Sequence, residues 1–314
     1  MNQQFAGKSA LVTGGGSGIG RASALALAAE GALVTVAGRT AETLKETVRL
    51  VEAAGGSARY VVADVTDESQ VEKAVQAAVA DMGHLDVALN NAGYDGEFQL
   101  TQDYSTEMLD HMIALNVRGV FLSMKHELRH MVAQGSGSIV NMSSGAALVG
   151  VPGFSGYTAT KAAEVAMTKS SALEVAPHGI RINAVCPGLV ETPMLASLDP
   201  NEDPLKSLIA AHPLGRIANA GEIADAVVWL CSDKASFVTG IALPVDGGYT
   251  VPGQPATPHQ RDDPGPETRV DTLAATGSAA TRELMQHMGH SSVRAALIPS
   301  APRRRAGPCD RRSR

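Results

Sequence analysis

Cysteine is scarce in this chain of 314 residues, and its three thiols, Cys186, Cys231 and Cys309, include no close pair. That excludes a disulfide framework and a thiol-rich metal site, and it fits a reducing, cytoplasmic setting. Long apolar runs are missing too, since none approaches the ~20 residues of a membrane-spanning helix. Met1 to Lys8 shows no charged leader followed by an apolar stretch, so export is not expected. Aromatic residues are few and stop early: all 11 lie before Pro252, while the last 63 residues hold 8 of the 16 prolines. Those last residues carry 10 Arg against 6 acids, net +4, which leaves residues 1–251 short of basic charge at net −10. A body of that sign argues against unaided binding to nucleic acid or an anionic membrane, both of which need a basic face. Only residues 1–251 have the composition to fold around a core, so 252–314 is expected to be a linker and low-order tail.

Within the body, short runs rich in β-branched residues alternate with longer helical patterns. Ser9–Thr13, Leu33–Ala37, Ala58–Ala63, Val87–Asn90, Ser138–Met142, Arg181–Val185 and Ala242–Val245 are predicted strands. Helices are predicted over Gly18–Glu30, Ala41–Ala54, Ser69–Met82, Thr106–Ala133, Tyr157–Pro177 and Ala220–Cys231. This order implies right-handed βαβ crossovers and an α/β fold, a doubly wound parallel sheet with helices on both faces. The strands are nearly continuous in apolar residues, as a sheet buried on both sides requires.

Directly after the first strand comes Thr13-Gly14-Gly15-Gly16-Ser17-Gly18-Ile19-Gly20, which opens the first helix. Glycines at this junction let the backbone turn sharply and approach a pyrophosphate, whose charge then sits at the positive end of the helix. Many dinucleotide sites place an acid at the end of the second strand to bind both ribose hydroxyls. Here that stretch reads Gly38-Arg39-Thr40. With no carboxylate to repel a 2′-phosphate and a guanidinium to pair with it, NADP(H) is the expected cofactor and NAD(H) the alternative. A solvated surface charge is the plainer reading of Arg39. Asp64-Val65 closes the third strand and Asn90-Asn91-Ala92-Gly93 the fourth.

Tyr157 and Lys161 stand four apart in a helical pattern and so share a helix face. A free tyrosine titrates near pH ~10, too high for efficient proton transfer at neutral pH, and a nearby ammonium favours the phenolate. Such tuning serves general acid-base chemistry.

Together these segments resemble the short-chain dehydrogenase/reductase family over residues 7–250. The resemblance rests on Thr13-Gly14 with Gly18 and Gly20, Asn90-Asn91-Ala92-Gly93, Asn116 in Leu115-Asn116-Val117, Ser143-Ser144, Tyr157 with Lys161, and Pro187-Gly188 followed by Thr192-Pro193. It implies a seven-stranded Rossmann-type fold, a homotetramer or homodimer, and hydride transfer between nicotinamide and a small-molecule carbonyl or secondary alcohol. By position, Tyr157 would be the acid/base, Ser144 would hydrogen-bond the substrate oxygen, and Asn116 would hold a water in a proton relay. Lys161 would bind the nicotinamide ribose and lower the Tyr157 pKa. The implied cofactor contacts are Gly14, Ser17, Gly18, Ile19, Gly20, Arg39, Asp64, Val65, Asn91, Tyr157, Lys161, Val190 and Thr192. A non-catalytic dinucleotide-binding scaffold or sensor on the same fold is the alternative, and the intact Ser144, Tyr157 and Lys161 favour the enzyme. Leu189–Arg216, with Met194, Leu195, Leu198, Leu205 and Leu208, is expected to cover an apolar pocket.

Two segments stand apart. His126-Glu127-Leu128-Arg129-His130 matches a two-histidine zinc pattern. A catalytic zinc needs a third protein ligand, and the sequence offers no obvious one, so no metal is expected. Beyond Val251, Thr272–Gly277, Thr281–Met285 and Met288–Ser292 resemble the end of a tyrosine recombinase catalytic domain. No tyrosine follows Tyr249, so the nucleophile of that family is missing and a remnant is the expected reading.

Overall fold

The computed structural model of the chain describes residues 3–192 and 203–251. Seven strands form one parallel sheet in the order β3-β2-β1-β4-β5-β6-β9. They are β1 (Ser9–Thr13), β2 (Leu33–Gly38), β3 (Ser57–Val62), β4 (Val87–Asn90), β5 (Gly137–Met142), β6 (Ile180–Pro187) and β9 (Ala242–Val245). The doubly wound, Rossmann-type sheet expected from the sequence is therefore present. Two further strands, β7 (Val190–Glu191) and β8 (Ala218–Asn219), form a separate two-residue pairing.

Alternation along each strand feeds two cores. On one face Ala10, Val12, Val34, Val36 and Leu89 pack with α1 (Gly18–Ala29), α2 (Ala41–Ala53) and α8 (Ala220–Cys231). On the other, Leu11, Ala88, Ile139 and Ile182 pack with α3 (Glu68–Ala80), α5 (Val120–Gln134) and α6 (Ser155–Val175). Every residue of β1 and β4 is buried, as a central strand covered on both faces requires. β3 departs from that expectation. It lies at the sheet edge, and Tyr60 and Val62 are exposed.

The single helix predicted over Thr106–Ala133 is instead three windings: α4 (Thr106–Met112), a π-helical stretch Ile113–Gly119, and α5. All of its residue types suit a helix, so the sequence period does not register the change. Asn116 sits inside the π-helical stretch, a winding often found at functional sites. α7 (Asp203–Ala210) was not foreseen. Met194, Leu195 and Leu198 lie outside the described residues, as does the side chain of Leu205, and Leu208 is exposed. The tail and its recombinase-like segments also lie outside them.

Sheet order reverses between β1 and β4, because β2 and β3 extend one way and β5, β6 and β9 the other. A crevice opens outside the carboxyl ends of the strands at such a switch point. Thr13, Gly38, Asn90 and Met142 end their strands on that side.

Candidate active site

The glycine turn is built for close backbone approach. Gly14 has φ +65°, and a Cβ there would lie 2.8 Å from Asn91 Nδ2 and 2.9 Å from Ala92 Cα. A Cβ on Gly20 would come within 2.6 Å of the same amide. The cradle thus has room for glycine alone. Ser17 starts α1 without a side-chain capping bond, and no acid lies in the first turn. The N–H groups of Gly18, Ile19 and Gly20 therefore have no intrahelical acceptor, which suits an anionic ligand. Arg21 braces the turn from behind: Nε donates to Thr47 Oγ1 at 3.0 Å and the guanidinium to the Gly16 carbonyl, while Thr47 donates to the Gly15 carbonyl at 2.9 Å.

The other expected cofactor residues line the same edge. Arg39 follows β2, is exposed, and has no hydrogen bond or ion pair among the described residues. Asp64 Oδ1 accepts from the Thr66 N–H and hydroxyl, and Val65 is buried beside Leu115 and Leu122. The Asn91 amide donates to the Thr13 and Gly14 carbonyls, both at 3.3 Å. Val190 is buried and Thr192 half-buried, just beyond the end of β6. These residues fit a dinucleotide. When bound, it would supply or accept hydride, with its pyrophosphate on the α1 N-terminus.

Tyr157 lies in the first turn of α6, which begins at Ser155, two residues before the predicted start. Its ring meets Phe154 edge-on at 6.0 Å, and Phe154 meets Phe98 at 5.4 Å, forming an aromatic wall. Lys161 Nζ lies 5.8 Å from the Tyr157 ring centre. Burial pushes the phenol above its ordinary pKa; the Lys161 ammonium and the Ser144 hydroxyl pull it down, while the Glu164 and Asp95 carboxylates add to the rise. The lowering expected from Lys161 is present but outweighed. Ser144, at the end of the β5 loop, also accepts from the Ala146 N–H at 3.1 Å, which orients its hydroxyl.

Asn116 is fully buried and ties three elements together. Oδ1 accepts from the Tyr94 N–H at 2.9 Å, while Nδ2 donates to the Tyr94 carbonyl at 2.8 Å and to Thr160 Oγ1 at 3.0 Å. A Cβ on Gly93 would lie 3.4 Å from both Asn116 Oδ1 and Lys161 Nζ, so this glycine, three residues past β4, packs against the pair.

The zinc-like pattern takes a different form. His126 is buried with Nε2 3.2 Å from Glu68 Oε1, whereas Glu127 turns inward and accepts from Asn90 Nδ2 at 3.0 Å. Among the described residues no group of three His, Cys, Asp or Glu is placed to hold a metal ion, and no helix is long and apolar enough to cross a membrane. Sequence reading missed Glu164, the buried partner of Lys161. The only signal for it was a carboxylate three residues on along the same helix.

Comparison with known proteins agrees with this geometry. The family profile described as enoyl-(acyl carrier protein) reductase matches residues 14–250. It ends before the tail and lends no support to the recombinase-like resemblance. A cyclohexanol dehydrogenase from Acinetobacter sp. (strain SE19) is 41% identical over 250 residues, covering 80% of this chain and 98% of that protein. The crystal structure of levodione reductase superposes with a TM-score of 0.77 at 38% identity, covering 79% of this chain and 100% of the other. That of NAD+-bound xylitol dehydrogenase gives 0.75 at 36% identity, covering 78% and 100%. The chain belongs to the short-chain dehydrogenase/reductase family and is an oxidoreductase acting on alcohols and ketones.

Proposed function

We propose that the enzyme interconverts cyclic secondary alcohols and their ketones, with Tyr157 as acid/base and NADP(H) preferred over NAD(H). The observation that carries this reading is the convergence of Ser144, Lys161 and the aromatic wall on the Tyr157 phenol, beside the glycine cradle.

In alcohol oxidation Tyr157 takes up the hydroxyl proton, and a bound nicotinamide, held by the glycine cradle and Lys161, would supply the acceptor for the hydride leaving the carbinol carbon. Reduction runs the same steps backwards. Negative charge grows on the substrate oxygen as hydride moves, so donors fixed at that oxygen favour the transition state over the ground state. Ser144 and protonated Tyr157 are those donors. Lys161 holds the ribose side and favours the phenolate, and Asn116 orders the loop and helix from which protons are relayed.

The substrate class is supported by the apolar character of the site and by relatives named for cyclohexanol and levodione. The cofactor preference is supported by Arg39, exposed and without a partner among the described residues, after Gly38 where an acid would repel a 2′-phosphate. The NAD+-bound xylitol dehydrogenase favours the other choice. Nicotinamide absorbance followed with NADP+ and NAD+ against cyclohexanol, linear secondary alcohols and polyols tests both points. Faster turnover of the cyclic substrate with NADP+ supports the reading, and a preference for a polyol with NAD+ overturns it.

We further assign the catalytic unit to residues 1–251 and its assembly to a homo-oligomer. Phe121 and Val132 are exposed at 55% and 37% on α5, on a face shared with Arg129 and with Glu174 of α6. An exposed apolar face flanked by opposite charges suits a second copy related by a two-fold axis.

A further inference from the structure

Lys161 does not face Tyr157 alone. Its ammonium donates to Glu164 Oε1 at 2.8 Å and to the Met142 carbonyl at 2.9 Å, which occupies two of its three N–H donors. Glu164 has no solvent exposure, and its Oε2 has no hydrogen-bond partner among the described residues. A buried ion pair contributes little net stability compared with an apolar side chain of the same size. Packing alone therefore gives no reason for a carboxylate at this position, one helical turn from an ammonium that lies 5.8 Å from the Tyr157 ring centre.

We propose that Glu164 is a positioning residue that holds the Lys161 ammonium at the rear of the site and offsets its charge, thereby setting how tightly Tyr157 keeps its proton. This rests on the acid/base reading of Tyr157. The charged and titratable groups around it are few. Lys161 and Tyr157 share its helix. Asp95 acts on Tyr157 from the loop after β4, and Cys186 faces it from β6 with its thiol pushed up by burial to about 11 and therefore neutral. Glu164 is thus the carboxylate hydrogen-bonded to the Lys161 ammonium. Burial pushes its own pKa up to about 7, with Lys161 offsetting part of the rise, so its charge changes near neutral pH. As Glu164 loses its charge, Lys161 acts on the phenol unopposed.

The test is kcat/KM for cyclohexanol oxidation across pH in Glu164→Gln and Glu164→Met, with cofactor binding read by fluorescence and folding by circular dichroism. Without the carboxylate the phenolate forms more easily, so the acid limb should move down by roughly one pH unit, up to about tenfold more relative activity on that limb. A lower plateau with an unmoved limb would mean that Glu164 only fills space and would overturn the proposal. Loss of folding in both variants would assign it a structural role and do the same. Tyr157→Phe separates the two ideas: if that variant keeps its turnover, the acid/base reading itself fails.

Discussion

The Thr13 hydroxyl accepts the backbone N–H of Asn91 at 3.0 Å and that of Ala92 at 3.2 Å, so the ends of β1 and β4 are tied together where the sheet order reverses. The glycine turn and the loop after β4 are consequently held to each other by hydrogen bonds. Asn91 completes the tie by donating its amide to the glycine turn.

Gly20→Ala should break this arrangement. The new methyl group would lie 2.6 Å from Asn91 Nδ2 and against the Gly14 carbonyl. Overpacking of this kind costs about 1–3 kcal/mol. Cofactor affinity should fall by at least about tenfold, read by fluorescence titration, alongside a lower melting temperature.

On the proposed preference for NADP(H), Arg39 is the residue that would separate the two cofactors. A charge-assisted hydrogen bond contributes about 1.5–3 kcal/mol. Arg39→Ala should therefore raise KM for NADP+ by roughly ten- to hundredfold and leave KM for NAD+ nearly unchanged. Equal effects on both would show that Arg39 is a solvated surface charge.

Glu127 makes stability depend on pH. Burial pushes its pKa up to about 7, with the Asn90 hydrogen bond offsetting part of the rise, while an unfolded glutamate titrates near ~4.3. Between those values the folded state holds the extra proton, so this residue costs stability as pH rises through the window and a constant amount above it. Glu127→Gln should be stabilising at pH 8 by up to a few kcal/mol, on the order of the shift at ~1.4 kcal/mol per unit, and nearly neutral at pH 4. Denaturant melts at the two pH values measure this.

Truncation after Val251 should leave turnover and oligomeric state unchanged, because every residue assigned to the site precedes that point. Light scattering and initial rates check it. A loss of either would give the tail a role that its composition does not reveal.

The sheet was legible because buried parallel strands need unbroken apolar runs, and Ser9–Thr13 and Val87–Asn90 coincide with the observed β1 and β4. The glycine turn and the Tyr157–Lys161 spacing were legible because each is a local demand on the chain. The π-helical turn around Asn116 was not, since it changes hydrogen-bond partners without changing the kinds of residue required. Glu164 was visible as an i,i+3 neighbour of Lys161, but its burial depends on long-range packing of α6 against the sheet, which spacing does not encode. The exposure of β3 was hidden for the same reason: edge position is a property of strand order.

Tyr157→Phe is the most direct measurement of the central claim. The substitution removes one oxygen and leaves the ring against Phe154. Turnover of cyclohexanol should fall by about 10²–10⁴-fold, the usual contribution of general acid-base catalysis, while cofactor still binds with near-normal affinity. Retention of a near-normal rate would contradict the account.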